Sequence, residues 1–455
     1  MENTFTKDFV FGTATAAYQI EGAVNEDGRC PSIWDTFSHT PGATFAGDTG
    51  DVATDSYHRW REDLALLNDL GVDAYRFSIA MPRIMPTPNG IPNAKGLDFY
   101  ERIVDTLLEY GIKPVVTLYH WDLPQYLEDA GGWLNRVTSY ALGDYAAVVA
   151  KRLGDRVDTW TTLNEPWCAS YLSYGAKEQA PGLGLGPGAF PAVHHLNLAH
   201  GLMVQAVRGI VGDKSKYSVT LNMPFNRGDA DACHRLDLIA NRAFLDPMLR
   251  GRYPDELFAI TKGICDWSFI QPGDLENAHQ PIDVLGVNYY STNRVAMSDR
   301  PQFPQETGPS TCPGASDIDW LPTDGPHTDM GWNIDPQGLY DTLMRVHDRY
   351  PEVDLVITEN GMACRDQLVV NEDGTKAVHD ADRIDYLERH FAAAKRALDD
   401  GVPLSGYFVW SLLDNFEWYL GYAKRFGITY VDYATQERTK KDSFLWYRDF
   451  IASRG

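Results

Sequence analysis

The chain has 455 residues, 44% of them apolar, and no composition break, Gly/Ser linker or internal repeat divides it, so one domain over 1–455 is expected. Its 40 basic and 63 acidic side chains leave a formal charge of −23, which repels phosphate backbones and anionic lipid surfaces and argues against nucleic-acid and membrane partners. Six scattered cysteines with no C-x-x-C pair argue against a zinc site or disulfide framework, and the N-terminus lacks the pattern of a secretory signal, so a cytoplasmic location is expected.

Short β-branched and aromatic runs alternate with amphipathic stretches. Strands are expected at FVFGTATA (9–16), DAYRFSI (73–79), KPVVTLYH (113–120), VDTWTTLNE (157–165), KYSVTLNM (216–223), DVLGVNYY (283–290), DLVITENG (354–361) and SGYFVWSLL (405–413). Helices are expected at 58–71, with Leu64, Leu67 and Leu70 a turn apart and Gly71 as C-cap, and at 99–111, with Ile103, Leu107 and Tyr110 on one face. Two more fit 139–154 and 382–401. Eight strand–helix units with mostly uninterrupted apolar strands point to a (β/α)8 TIM barrel with extended βα loops forming the mouth. A doubly wound open sheet would need a glycine turn for phosphate, and PGLGLGPG (181–188) follows no strand and reads as a surface loop.

In such a barrel the strand C-termini carry the chemistry. Glu165 ends the fourth expected strand and Glu359 the seventh, each beside an asparagine, Asn164 and Asn360. Two converging carboxyls suit cleavage of a glycosidic bond: one stays protonated to assist the leaving oxygen, the other is ionised to meet the oxocarbenium-like centre. Saccharides present apolar ring faces and a rim of hydroxyls. The other strand ends supply matching groups: His120 and Trp121, Asn288 and Tyr290, and Trp410, Glu417 and Trp418. His194, His195 and His200 lie on a helix at spacings that point in different directions, so no metal is expected.

These segments together resemble the family 1 glycoside hydrolases, the β-glucosidase family, over essentially the whole chain. "FVFGTATAAYQIEGA", "YRFSIAMPRI", "YHWDLPQ", "TLNEPW", "GVNYY", "VITENG" and "WSLLDNFEW" occur in that family's order. The resemblance implies a cofactor-free retaining mechanism in which Glu359 attacks the anomeric carbon and Glu165 is the acid/base. It also implies that Gln19, His120, Asn164, Glu417 and Trp418 hold the hydroxyls of the terminal sugar and that Trp410 forms the stacking floor. Tyr290 and Arg76 would attend Glu359. Asn288 fits a site role or a structural one, and Trp332 fits stacking on the leaving group or packing. The implied substrates are β-glucosides and cello-oligosaccharides, with β-galactosidase, β-fucosidase or 6-phospho-β-glycosidase activity as alternatives. Glu417 would repel a 6-phosphate, and Lys424 is too weak a signal to reverse that. The segment 299–320 reads as a loop over the aglycone side, and nothing fixes the oligomeric state. A catalytically silent sugar-binding protein would be expected to have lost one of the two glutamates, and both are present.

Overall fold

Eight parallel strands close on one another in the computed structural model, which describes residues 4–299 and 308–454. They are β1 (Val10–Ala14), β2 (Ala74–Ser78), β3 (Lys113–Tyr119), β4 (Thr159–Asn164), β5 (Lys216–Asn222), β6 (Val284–Asn288), β7 (Asp354–Asn360) and β8 (Leu404–Trp410). Each pairs with its sequence neighbours, and β8 returns to β1 from Val10 opposite Gly406 to Ala14 opposite Trp410. All eight expected strands are present. Helices follow the strands in turn: α1 (Ser56–Leu70), α2 (Ala94–Glu109), α3 (Val137–Leu153), α4 (Phe190–Val211), α5 (Ala243–Arg250), α6 (Pro336–Arg349), α7 (Ala381–Asp399) and α8 (Asp442–Ala452). This is a TIM barrel.

The helices bury the faces their spacing marks. Leu64, Leu67 and Leu70 of α1 are buried, and Gly71, at φ +73°, closes the helix by donating its N–H to the Leu67 carbonyl. On α2, Ile103 and Leu107 are buried, but Tyr110 is not on that face. The helix stops at Glu109, and Tyr110 follows it as the cap, turned outward and 39% exposed. The run 181–188 is only partly surface: Leu183 and Leu185 are exposed, whereas Gly186 and Pro187 are buried in a short 3-10 turn.

The strand starts form a dry plug of Val10, Ala74, Val115, Val284, Val356 and Phe408, which closes one end of the barrel. The strand C-termini are left to face a cavity. Gly286 on β6 is a fitted gap: a Cβ there would lie 2.4 Å from Thr220 Oγ1 and 2.8 Å from Thr358 Oγ1. Thr358 uses that room to donate to Asn288 Oδ1 at 2.8 Å. The βα loops add a three-stranded sheet (Phe225–Gly228, Thr292–Met297, Ile318–Leu321) and two π-helices (Cys168–Gly175, Asp237–Arg242).

The three histidines of α4 have structural partners. His194 meets Asp274 at 2.9 Å and the Tyr253 hydroxyl at 3.0 Å, His195 meets the Trp133 carbonyl at 2.8 Å, and His200 meets Thr162 Oγ1 at 2.7 Å. Burial pushes His195 down to about 4 and His200 to about 3, so these two rings are neutral near pH 7.

Candidate active site

One cavity of about 540 Å³ opens at the strand C-termini, and Glu165 and Glu359 both line it. His120, Trp121, Asn164, Asn288, Tyr290, Trp332, Trp410, Glu417 and Trp418 line the same space. Gln19 and Arg76 stand behind the wall. Gln19 is fully buried and donates Nε2 to Asn415 Oδ1 (3.0 Å) and the Phe416 carbonyl (2.9 Å), which fixes the loop carrying Glu417. Residues 300–307 of the expected aglycone loop lie outside the described residues, while Thr311, Cys312 and Trp320 from its remainder reach the cavity.

Glu359 accepts a hydrogen bond on each oxygen, from Arg76 Nη1 on Oε1 and from the Tyr290 hydroxyl on Oε2, both at 2.7 Å. Arg76 also donates Nη2 to Asn164 Oδ1 at 2.7 Å. That oxygen takes a second donor, Asn288 Nδ2, at 3.1 Å, and Asn288 donates to Glu165 Oε1 at 2.7 Å. Asn288 thus bridges directly to the carboxyl of Glu165, the site alternative for this residue. A single chain of polar contacts runs Glu359–Arg76–Asn164–Asn288–Glu165.

The same contacts settle a proton. With Asn164 Oδ1 accepting twice, its Nδ2 must donate to His120 Nε2, 3.0 Å away. Burial, with the Arg76 charge beside it, holds the imidazole well below its ordinary value, so the ring is neutral and carries its proton on Nδ1. That nitrogen, Gln19 Oε1 and Glu417 Oε2 are buried polar atoms without a protein partner, which is unusual enough to require a function.

Glu165 is 6% exposed, and burial followed by the charge of Glu359 raises its pKa to about 7. Burial, then Glu359 and Glu165, raise Glu417 to about 8. The cavity therefore keeps two of its three glutamates biased toward the neutral acid. Cys168, absent from the sequence expectations, donates Sγ–H to Glu165 Oε2 at 3.1 Å. Its position three residues after Glu165 was the only signal, because nothing in the sequence shows the π-helix that brings it back to the carboxyl.

Aromatic rings set the walls. Trp418 packs against Trp34 (4.7 Å), Trp121 (4.6 Å) and His120 (5.9 Å), and Trp410 lies 6.0 Å from His120. Trp121 also donates Nε1 to the Asn164 carbonyl at 2.8 Å, steadying the backbone before Glu165. Trp332 is half-buried, 5.3 Å from Tyr290 and 6.1 Å from Phe426. Trp121, Glu165 and Trp418 all have positive φ (74°, 47° and 53°), backbone strain of the kind that clusters at functional sites.

The model of glycosyl hydrolase family 1 matches residues 1–455. The chain belongs to glycosyl hydrolase family 1. A bifunctional β-D-glucosidase/β-D-fucosidase of Bifidobacterium breve is 70% identical to this family 1 glycoside hydrolase over 99% of both chains. β-Glucosidase A of Thermotoga maritima is 45% identical over 99% of this chain and 98% of its own. The solved Thermotoga maritima β-glucosidase in complex with deoxynojirimycin superposes with a TM-score of 0.90 at 44% identity, covering 100% of this chain and 99% of that one. Among the described residues no helix of this family 1 enzyme is long and apolar enough to cross a membrane.

Proposed function

We propose that this enzyme is a retaining β-glucosidase that removes terminal β-D-glucosyl units, with β-fucosides as second substrates. The observation that carries this reading is the asymmetry of two carboxyls in one cavity. Glu359 is clasped by a guanidinium and a phenol at 2.7 Å each, whereas Glu165 is buried and pushed up to about 7. Glu359 attacks the anomeric carbon as a carboxylate. Glu165 gives its proton to the departing oxygen, and the resulting glycosyl ester on Glu359 is then hydrolysed by a water that Glu165 deprotonates. A separation of roughly 5–5.5 Å between the two carboxyls is required for this course.

His120 Nδ1, Asn164 Nδ2, Gln19 Oε1 and Glu417 Oε2 are assigned to the sugar hydroxyls, Asn164 to the 2-OH, and Trp410 and Trp418 to the ring face. Trp332 is assigned to the leaving group. A 6-phospho-sugar is disfavoured. Glu417, raised to about 8, repels phosphate only weakly at neutral pH, but the cation such a sugar would need is already engaged: Lys424 binds Asp329 at 2.9 Å. The B. breve relative's name favours fucosides over galactosides as the second activity.

The deciding experiment is kcat/KM on nitrophenyl β-glycosides of glucose, fucose, galactose and 6-phosphoglucose, with the first-formed anomer read by NMR. Glucoside and fucoside cleavage with β-anomer product is expected. Inversion, or activity confined to the phosphorylated sugar, overturns the reading. In Glu165→Ala, azide should restore turnover of a substrate with a good leaving group. Rescue of Glu359→Ala instead reverses the two roles.

A further inference from the structure

The β-glucosidase reading, on which this inference rests, does not say what the glucose is attached to. The cavity half remote from the sugar-binding residues is built largely around the two π-helices. A π-turn widens the helix and re-aims its side chains, and such turns recur at functional sites. Leu172 comes from the first, Ala240 from the second, and Leu236 immediately precedes the second. Met223, just past β5, Cys312 and the rim residue Trp320 complete an apolar wall. Met223 and Leu236 are 1% exposed, whereas Trp320 is 54% exposed and extends the wall outward.

A second glucosyl ring carries hydroxyls around its edge, and each one buried against leucine or methionine loses its hydrogen bonds to water without replacement. Few polar groups stand ready here. Asn293 Nδ2 is spent on Asn226 Oδ1 at 2.9 Å. Three buried polar atoms of the lining residues have no partner, Trp167 Nε1, Gln179 Oε1 and Asn222 Oδ1, enough for an edge hydroxyl but not for a whole sugar. The exposed carboxylate of Glu178 at the same wall disfavours anionic groups.

We propose that the aglycone subsite takes a neutral alcohol or phenol with an apolar body, in preference to a second sugar ring, and that Gln179 Oε1 accepts a hydroxyl at its edge. Each methylene buried on such a wall is worth about a fourfold gain in binding at most, from roughly 0.8 kcal/mol per group.

The test is kcat/KM on hexyl β-D-glucoside, methyl β-D-glucoside and cellobiose. Hexyl and methyl share one leaving-group chemistry, so their ratio reads the wall alone, and at least a thirtyfold ratio is expected. Hexyl glucoside should also exceed cellobiose, although an alkanol is the poorer leaving group. Leu172→Asn and Ala240→Asn should each lower the hexyl/methyl ratio at least fivefold, a ratio in which any general loss of folded enzyme cancels. Cellobiose ahead of hexyl glucoside, or ratios unmoved by both variants, overturns the proposal. Native enzyme should favour 3-hydroxyphenyl over phenyl β-D-glucoside and Gln179→Leu should lose that preference; equal rates in the native enzyme overturn the edge contact. If no glucoside is cleaved but a fucoside or galactoside is, the glucosidase reading fails by itself, and the hexyl/methyl comparison on that sugar decides the aglycone claim.

Discussion

Glu165 has to be an acid in one half of the reaction and a base in the other, so its donors must orient it without fixing its charge. Asn288 and Cys168 each donate to one of its oxygens. A thiol is a weak donor, and here burial and the neighbouring carboxyl of Glu165 push Cys168 well above its ordinary value, so it stays protonated. A donor to the ionised form lowers the pKa, so its loss raises it. Cys168→Ala should therefore move the basic limb of the kcat/KM profile, set in the native enzyme by a group near 7, to higher pH, and Cys168→Ser should move it less. The same Ala variant should lose more activity on a poor leaving group than on dinitrophenyl glucoside, which needs no proton. A side chain that only filled space would lower both substrates alike and leave the limb where it was.

At the scale of elements, the strands were legible because barrel strands buried on both faces read as apolar runs of fixed length. The carboxyls, amides and rings at their C-termini were legible as site candidates for the same reason: a polar residue closing such a run is costly to bury unless a cleft receives it. What the sequence hid lies between the elements. CASYLSYG has no feature that separates a π-helix from an α-helix, so Cys168 and Leu172 could not be placed. The occupation of Lys424 by Asp329 spans 424 − 329 = 95 positions and leaves no local mark. Tyr110 failed for a simpler reason, since helical spacing does not say which turn is the last. Gly286 shows an element serving the site. Gly286→Ala would push Thr220 and Thr358 apart inside the barrel, at about 1–3 kcal/mol for overpacking. It should lower both the melting temperature and kcat/KM, because Thr358 would leave Asn288; an unchanged melt and rate would show that the strands simply yield.

For the whole molecule, acidity is not confined to the surface. Burial holds Glu165 at about 7, and Glu417 and Asp122 at about 8. Asp122 is 1% exposed, and neither of its oxygens has a partner. As pH rises from the ordinary carboxylate range toward 8, the unfolded chain releases these protons while the folded chain keeps them. Stability therefore falls across that window and is fully present only below it. The melting temperature of the unliganded enzyme should drop between pH 6 and 8.5, and Asp122→Asn, which has no proton to lose there, should flatten the drop. Parallel curves for the two proteins would place the titration elsewhere.

The left-handed backbone at Glu165 has a consequence for how this sequence is kept. At φ +47° a side chain of any kind is opposed by its own Cβ, and only glycine is at ease there. Glu165→Gly should therefore melt above Glu165→Ala, and both should be inactive on substrates that need an acid. Among proteins selected for durability alone, glycine would take this position. A glutamate persisting there in a lineage records that catalysis has been selected against the chain's own conformational preference.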